Sequence, residues 1–306
     1  MSDTRRTVEG VCLGLLAAVA WGLYNVGAEL GQAQGFHPAD LTMLRYGGAA
    51  ALMLPVLIAA RHRMPPLSRV AILALLIGPG FALLFNAGFQ RAPLSHAVVL
   101  GPGTSMLVAN LIGVVRDRAP LTRNRSLGMA VLILGLVTIA ADQPTAKHWG
   151  GSVAVGDLCF LGSGTLWGIH VYLMGRWQMP PVRTTAGVAT LSSLVFLPIY
   201  FSVFDVTPMP WSAWARQFVY QGAIGGCLAF LVFAAAVLRL GAGRAALFSA
   251  LVPVVAVLLG IPLAAQVPSV LQWWGVGLAT LGLTISLDIR RRRAMASGAG
   301  EAGACQ

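Results

Sequence analysis

Ten long apolar stretches run along the chain, and short segments rich in polar and charged residues separate them. A helix needs about 20 mainly apolar residues to cross the hydrocarbon core of a bilayer, and these stretches have roughly that length. They cover residues 8–30, 39–60, 69–91, 94–115, 126–141, 153–176, 184–204, 213–237, 244–263 and 269–289. Because they use nearly the whole chain, we predict an all-α integral membrane protein with ten transmembrane helices and no separate soluble domain.

Several landmark residues of the first half recur in the second half at a nearly constant offset. The pairs are Gly10 and Gly156, Trp21 and Trp167, Gly128 and Gly275, and Gly135 and Gly282. A recurrence of this kind indicates an internal repeat. We therefore predict a first five-helix repeat over residues 1–146, a second over 147–290, and a basic, disordered cytoplasmic tail over 291–306.

The odd number of spans in each repeat has a topological consequence. With five spans per repeat, the second copy enters the membrane from the opposite face, so the two copies are inverted. Inverted repeats are typical of secondary transporters, whose substrate site lies near the midplane between the copies and which work by alternating access. The span pattern therefore predicts a transporter.

The distribution of charge supports this topology. The chain has 21 Lys and Arg against 10 Asp and Glu, 57% hydrophobic residues and a mean hydropathy of +0.76. Only Arg45, Arg91, Lys147 and Arg216 fall on the side opposite the amino terminus. This positive-inside asymmetry predicts two cytoplasmic termini and explains the net charge of +11 without a nucleic-acid partner. We expect a multi-pass protein of the bacterial inner membrane.

One face of the first helix carries Trp21, Asn25 and Glu29 at intervals of four, with Tyr24 beside them. Trp21 lies roughly 20 Å into its span, and Trp167 about as far into the sixth, so both flank the bilayer centre. We predict that the space between them holds the solute, with packing against neighbouring glycines as the alternative. Glu29 is a candidate for proton or cation coupling, and solvation at the interface is its alternative.

Further polar side chains outline an interior in three other helices. They are Asn86 and Gln90 on the third helix, His96 on the fourth and His170 on the sixth. We include them among the substrate-binding candidates, and either histidine could titrate near neutral pH. The alternative for each is an interhelical hydrogen bond, typically worth less than about 1 kcal/mol in a membrane.

Two prolines occupy matching places in the repeats. Pro102 lies in the fourth helix and Pro253 in the ninth. A proline inside a helix removes a backbone donor and kinks the helix. Because paired helix breaks mark the binding site in many transporters, we predict a gating role for these prolines.

A set of residues in the first half resembles the EamA-type drug/metabolite transporter superfamily. The set comprises Trp21-Gly22 with Asn25, Pro38 and Arg45 around the entry to helix 2, a proline inside helix 4, and Gly128 with Gly135 in helix 5. The second half repeats this outline, except that helix 7 lacks a counterpart of Arg45. The resemblance covers roughly residues 8–289 and implies an exporter of amino acids or related metabolites and drugs. In such an exporter, Phe85 and the aromatic residues of helices 1 and 6 could stack on an aromatic solute.

Two other classes of function compete with this interpretation. An intramembrane protease or lipid-modifying transferase would need catalytic motifs, but no HExxH, GxSxG or Walker sequence occurs, and Ala154 interrupts a protease-like motif at Gly156-Asp157. The four cysteines lack metal-ligand spacing, so we expect no metal or other cofactor. A receptor-like or structural protein is the third alternative, against which the repeat and the polar interior argue. The expected partners are a small solute and the membrane lipids.

The topology can be tested with reporter fusions. A reporter fused after Arg293 should be active in the cytoplasm, because an even number of spans returns the chain to the side on which it started. A matched fusion after Lys147 follows five spans and should report the opposite side. A cytoplasmic signal from both positions would contradict the inverted arrangement.

Overall fold

The computed structural model describes residues 3–118, 122–142, 152–240, 245 and 248–286. These residues form helices and connecting turns, with no β-strand among them. In hydrocarbon every backbone donor and acceptor needs a partner inside the protein, and a helix supplies these partners within a single segment. The all-α fold class predicted from the apolar stretches is confirmed.

Eight of these helices are long and apolar enough to cross a membrane. They are α1 (Asp3–Ala33), α2 (Pro38–Ala59), α3 (Leu67–Phe89), α4 (Leu94–Asp117), α5 (Arg123–Ala141), α6 (Val153–Arg176), α7 (Pro181–Val203) and α8 (Trp211–Leu240). Two shorter apolar helices follow, α9 (Val252–Ala264) and α10 (Val270–Ser286). The predicted last two spans and the predicted tail reach into 241–244, 246–247 and 287–306, which lie outside the described residues.

The start of α2 shows how a helix end is fixed and tied to its neighbour. The backbone N–H of His37 donates to Asp40 Oδ2 at 2.8 Å, and His37 Nδ1 accepts from the N–H of Ala39 at 3.2 Å, which closes a capping box. Asp40 Oδ1 also accepts from Tyr200 Oη, at 2.5 Å, near the end of α7. The start of α2 therefore lies beside the end of α7, and these two helices run antiparallel.

Helices α5 and α10, the last of each repeat, pack against each other in opposite directions through glycines. Gly128 lies against Gly282, and Gly135 lies against Gly275 and Ala279, so closely that a Cβ atom on any of these glycines would meet the neighbouring helix. Small residues let backbones approach and increase van der Waals contact, which is a main source of helix association in lipid. The glycines that indicate duplication in the sequence thus meet across the seam between the repeats.

Other helix contacts show the same exchange between repeats. Helix α1 packs on α8 and α9, while its counterpart α6 packs on α3 and α4. Because α3 corresponds to α8 and α4 to α9, these two sets of contacts are equivalent. Together with the antiparallel α2–α7 and α5–α10 pairs, they give the chain a two-repeat architecture.

The third helix of each repeat is irregular at an equivalent position. Helix α3 is interrupted at Gly78, between the segments Leu67–Ile77 and Pro79–Phe89, because Pro79 has no N–H to donate and disfavours helical geometry at the preceding residue. Helix α8 contains a π-helical segment, Phe218–Leu228. When the spacing between Trp21 and Trp167 is added to position 78, the result is a position inside this segment, so the two irregularities are equivalent.

The prolines predicted to break helices 4 and 9 have different surroundings. Helix α4 runs without interruption through Pro102, and Pro253 lies in the first turn of α9, where a missing N–H costs little. The discontinuities of the described bundle lie instead in α3 and α8. A gating role for Pro102 and Pro253 stays a prediction.

The α5–α10 seam can be tested by adding one methyl group. Gly282→Ala should lower the free energy of unfolding by about 1–3 kcal/mol, because the new Cβ would overlap the backbone of Leu132 and Gly128. Gly277→Ala on the same helix is the control, since nothing lies within 4 Å of its position. Thermal unfolding of the purified protein in detergent measures both, and equal melting temperatures would show that the seam tolerates the methyl group.

Candidate functional site

Arg45 is buried in α2, with only 8% of its surface exposed. Its guanidinium donates a hydrogen bond to Tyr24 Oη. The guanidinium carbon lies 4.6 Å from the ring centre of Tyr24, 5.7 Å from that of Phe81 and 5.8 Å from that of Tyr46. At these distances a cation is attracted to the faces of aromatic rings. Rings from α1, α2 and α3 therefore surround the charge.

This charge has no acidic partner in the described part of the chain. The ion pairs found there involve other cationic residues, and no Asp or Glu lies within 4 Å of the Arg45 guanidinium. The acid on the same helix, Asp40, accepts hydrogen bonds from Tyr200, from Thr207 and from the backbone of His37. Asp40 thus stabilises the α2–α7 contact and does not neutralise the arginine.

A cavity of about 50 Å³ adjoins the guanidinium. Helices from both repeats form it: α2 and α3 from the first, and α6, α7 and α8 from the second. Its polar lining comprises Arg45, Tyr46, His170, Thr184 and Thr185, and its larger apolar lining residues are Ile77, Met174, Val188 and Phe230. The cavity therefore lies between the repeats and is lined by both polar and apolar side chains.

The two predicted tryptophans do not pack on each other. Trp21 packs on Phe230 and Phe233 of α8, with ring centres 5.8 and 5.1 Å apart. Trp167 packs edge-on against Phe81 of α3, at 6.4 Å. Phe230 lines the small cavity and Phe81 lies beside the buried guanidinium, so each tryptophan is one ring removed from the arginine site. A direct contact of either tryptophan with solute stays a prediction.

Tyr24 and His170 are equivalent residues of the two repeats, because each follows its tryptophan by three positions. Tyr24 hydrogen-bonds to Arg45, and its ring packs on Gly225 in the π-helical segment of α8. His170 lines the cavity, and its Nδ1 has no hydrogen-bond partner among the described residues. Two of the predicted site residues thus converge on the buried arginine from opposite repeats.

A second, larger cavity of about 870 Å³ lies at the end of the bundle where α1 ends. Glu29 and Gln90, both predicted from the sequence, line it together with Arg91 and Ser95. Gln266, in the turn between α9 and α10, donates a hydrogen bond to Glu29. Glu29 is 4% exposed, which disfavours the alternative of simple solvation at the interface, and its coupling role stays a prediction.

Three other predicted residues lie within the packed interior. Asn25 donates to the Trp21 carbonyl at 2.7 Å and is tied to its own helix. Asn86 is fully buried, and neither polar atom of its side chain has a partner in the described part of the chain. The Phe85 ring stacks on Phe81, with centres 5.8 Å apart, and lines neither cavity described above.

His96 belongs to a buried polar pair between the repeats. Its Nδ1 lies 2.7 Å from Asp157 Oδ1, and the imidazole is fully buried. Helix α4 supplies the histidine and helix α6 the aspartate. This pair stabilises the contact between the repeats, and a substrate-binding role for His96 stays a prediction.

Arg45, Tyr46 and Gln266 are not among the site residues predicted from the sequence. A signal existed for Arg45, since it is a cation inside an apolar span, and ionisable residues in such positions are functional candidates by default. Tyr46 has no comparable signal in the sequence, because a tyrosine inside an apolar span does not by itself indicate a functional site. Its hydroxyl lies 3.0 Å from the Gly78 carbonyl and also contacts that of Ile77, so its importance depends on the break in α3.

Each repeat matches the same protein family, over residues 8–141 and residues 154–287. The chain belongs to the EamA-like transporter family. The two matches coincide with the two structural repeats and confirm the resemblance drawn from the landmark residues. Membership in this family makes the protein a multi-pass membrane transporter.

Two relatives of this EamA-like transporter come from Bacillus subtilis (strain 168). The uncharacterized transporter YyaM is 23% identical over 269 residues, which span 84% of this chain and 86% of YyaM. The uncharacterized transporter YwfM is 25% identical over 298 residues, 93% of this chain and 96% of YwfM. A solved structure, described only as a crystal structure of protein, matches 93% of this chain and 98% of its own, with 17% identity and a TM-score of 0.62. That likeness shows the fold.

The His96–Asp157 pair can be tested by removing one partner. Asp157→Ala should lower the free energy of unfolding by about 1–3 kcal/mol, because it leaves the buried His96 Nδ1 without a hydrogen-bond partner. Asp157→Asn keeps a polar side chain of the same size and should cost less. Denaturant unfolding in detergent compares the variants, and equal stability of Asp157→Ala and the unmodified protein would show that the pair contributes nothing.

Proposed function

We propose that this EamA-like transporter exports small organic solutes, amino acids and related metabolites or drugs, across the bacterial inner membrane by alternating access. The observation that carries the proposal is the Arg45 cavity, which is lined by both repeats and adjoins the irregular segments of α3 and α8. Discontinuous helices at equivalent positions of two repeats are typical of transporter binding sites.

The proposed topology is two inverted repeats of five spans, with both termini in the cytoplasm. The antiparallel packing of α2 with α7 and of α5 with α10 supports inversion, since each pair consists of equivalent helices. The positive-inside asymmetry supports the orientation. With this orientation the larger cavity opens to the outside and the Arg45 cavity extends toward the cytoplasm.

Contacts at the proposed cytoplasmic end join the repeats. Arg239 on α8 lies 3.3 Å from Glu9 on α1, and Arg176 on α6 forms an ion pair with Asp117 on α4. All four side chains are partly exposed, so each pair contributes about 0–1 kcal/mol. Pairs of this strength can separate and reform, as inward opening in an alternating-access cycle requires.

Glu29 is our candidate for coupling transport to protons. It is buried at the large cavity and accepts a hydrogen bond from Gln266, so it connects α1 with the turn between α9 and α10. Protonation would remove the charge of the carboxylate and weaken this charge-assisted contact. Passive transport without a coupling ion is the alternative mechanism.

Transport can be tested with the protein reconstituted in liposomes. Counterflow should be measured over a panel of amino acids, dipeptides and cationic drugs, and we expect at least one of these solutes to exchange faster than in protein-free liposomes. If no solute in the panel moves, the transporter proposal fails for these classes.

Substitutions at the predicted binding residues test whether the solute passes between the two repeats. Trp21→Ala, Asn25→Ala and Trp167→Ala should each lower the initial counterflow rate, by roughly 3- to 10-fold for the tryptophans, a factor that corresponds to the loss of one aromatic contact. Trp211→Ala is the matched control, because this tryptophan is 83% exposed. Unchanged rates in all three test variants would show that these residues only pack the bundle.

A further inference from the structure

Arg45 is a charged side chain in the interior of the helix bundle. An arginine remains charged in proteins, and a buried charge is costly unless it is paired. Here the guanidinium has five N–H donors, and the contacts found for them among the described residues are the hydroxyls of Tyr24 and Tyr46, with three aromatic faces nearby. Cation–π attraction and hydrogen bonds to two neutral hydroxyls offset only part of the cost of burial, because neither supplies a negative charge.

The cavity beside the guanidinium has the chemistry to admit the missing counter-charge. No Asp, Glu, Lys or second Arg lines it, so the guanidinium is its one permanent charge. One planar guanidinium matches one carboxylate through two parallel hydrogen bonds, whereas a phosphate dianion usually meets several cationic or backbone donors. The site therefore favours a monoanion.

The other residues that line the cavity determine which kind of group can be attached to the carboxylate of the ligand. Ile77, Met174, Val188 and Phe230 surround the cavity with apolar surface, and no carboxylate is present to pair with a ligand ammonium group. A ligand with an apolar or aromatic body and one carboxylate satisfies both parts of the lining. The volume of about 50 Å³ suits a carboxylate-sized group, so the apolar body enters as the repeats move apart.

The two repeats differ at this point. Helix α2 and its counterpart α7 begin at Pro38 and Pro181, and aligning these starts places Arg45 at the position of Val188, an aliphatic residue that also lines the cavity. The near-symmetrical bundle therefore has one such cationic position, and a solute that binds there has its anionic end toward the first repeat. His170, equivalent to Tyr24, lines the cavity from the second repeat.

We propose that Arg45 binds the carboxylate of the transported solute, and that the solutes are small monocarboxylates with apolar or aromatic bodies. This inference rests on the proposed transport function and narrows its substrate class. A protonated amino group is tolerated but is not what the site recognises.

Equilibrium binding to the detergent-purified full chain tests this without requiring transport. Four probes share one aromatic body: L-phenylalanine, phenylpropionate, L-phenylalaninamide and phenethylamine. A second set is built in the same way on leucine. The two carboxylates of at least one set should bind, and the amide and amine of that set should bind about 30-fold more weakly or worse, the factor expected when a buried charge loses its partner.

Variants then assign the recognition to Arg45. Arg45→Gln should weaken carboxylate binding by about 30-fold or more and bring it close to that of the amide, while Arg45→Lys should retain part of the preference. Arg216→Gln is the matched control, because this arginine is exposed at the start of α8. If Arg45→Gln does not fold, the partial loss of carboxylate preference in Arg45→Lys still assigns the recognition, and an undiminished preference in that variant would overturn it.

Several results would overturn the inference. These are equal binding of carboxylates and amides, no binding by either carboxylate set, and undiminished carboxylate preference in Arg45→Gln. Counterflow with the same probes separates this failure from that of the transport proposal. Movement of amines or amides but not carboxylates would leave a transporter whose arginine has another role, whereas carboxylate binding without movement of any solute would leave the binding site and remove the transport function.

Discussion

The need to satisfy every backbone polar group inside a bilayer governs this structure. Helices meet that need over nearly all of the described residues, and irregular backbone is tolerated in a membrane only where protein or a cavity supplies partners. The break at Gly78 follows this rule, because the Tyr46 hydroxyl contacts the carbonyls that the interruption exposes. The irregular segments of α3 and α8 both adjoin the cavity that contains Arg45, so the least regular backbone and the buried charge share one location.

Glycine has two distinct uses in this bundle. At the α5–α10 seam it removes side chains so that equivalent helices of the two repeats can approach. In α8, Gly222 lies against Gly48 of α2, Gly225 against the Tyr24 ring and Gly226 against the Arg45 carbonyl. The first use holds the repeats together at their periphery, and the second brings the residues around the arginine within contact distance.

The symmetry of the bundle is broken where the proposed chemistry occurs. Helix contacts exchange between the repeats, but Arg45 corresponds to the aliphatic Val188 and Tyr24 to His170. A duplicated scaffold can supply two similar conformations, facing opposite sides, without supplying two binding sites. One buried cation in an otherwise repeated framework is a way to bind a single solute in a defined orientation.

The sequence by itself determined the membrane class, the all-α fold, the duplication and the family, because these depend on the length of apolar runs and on spacings along the chain. It also indicated Tyr24, which hydrogen-bonds to Arg45, His170, which lines the small cavity, and Glu29 and Gln90, which line the larger one. Only the tertiary structure decided that Trp21 and Trp167 pack on different phenylalanines, that His96 pairs with Asp157, and that aromatic rings enclose Arg45. Those outcomes depend on which helix faces meet, and the facing residues are far apart in sequence, so no local pattern encodes them.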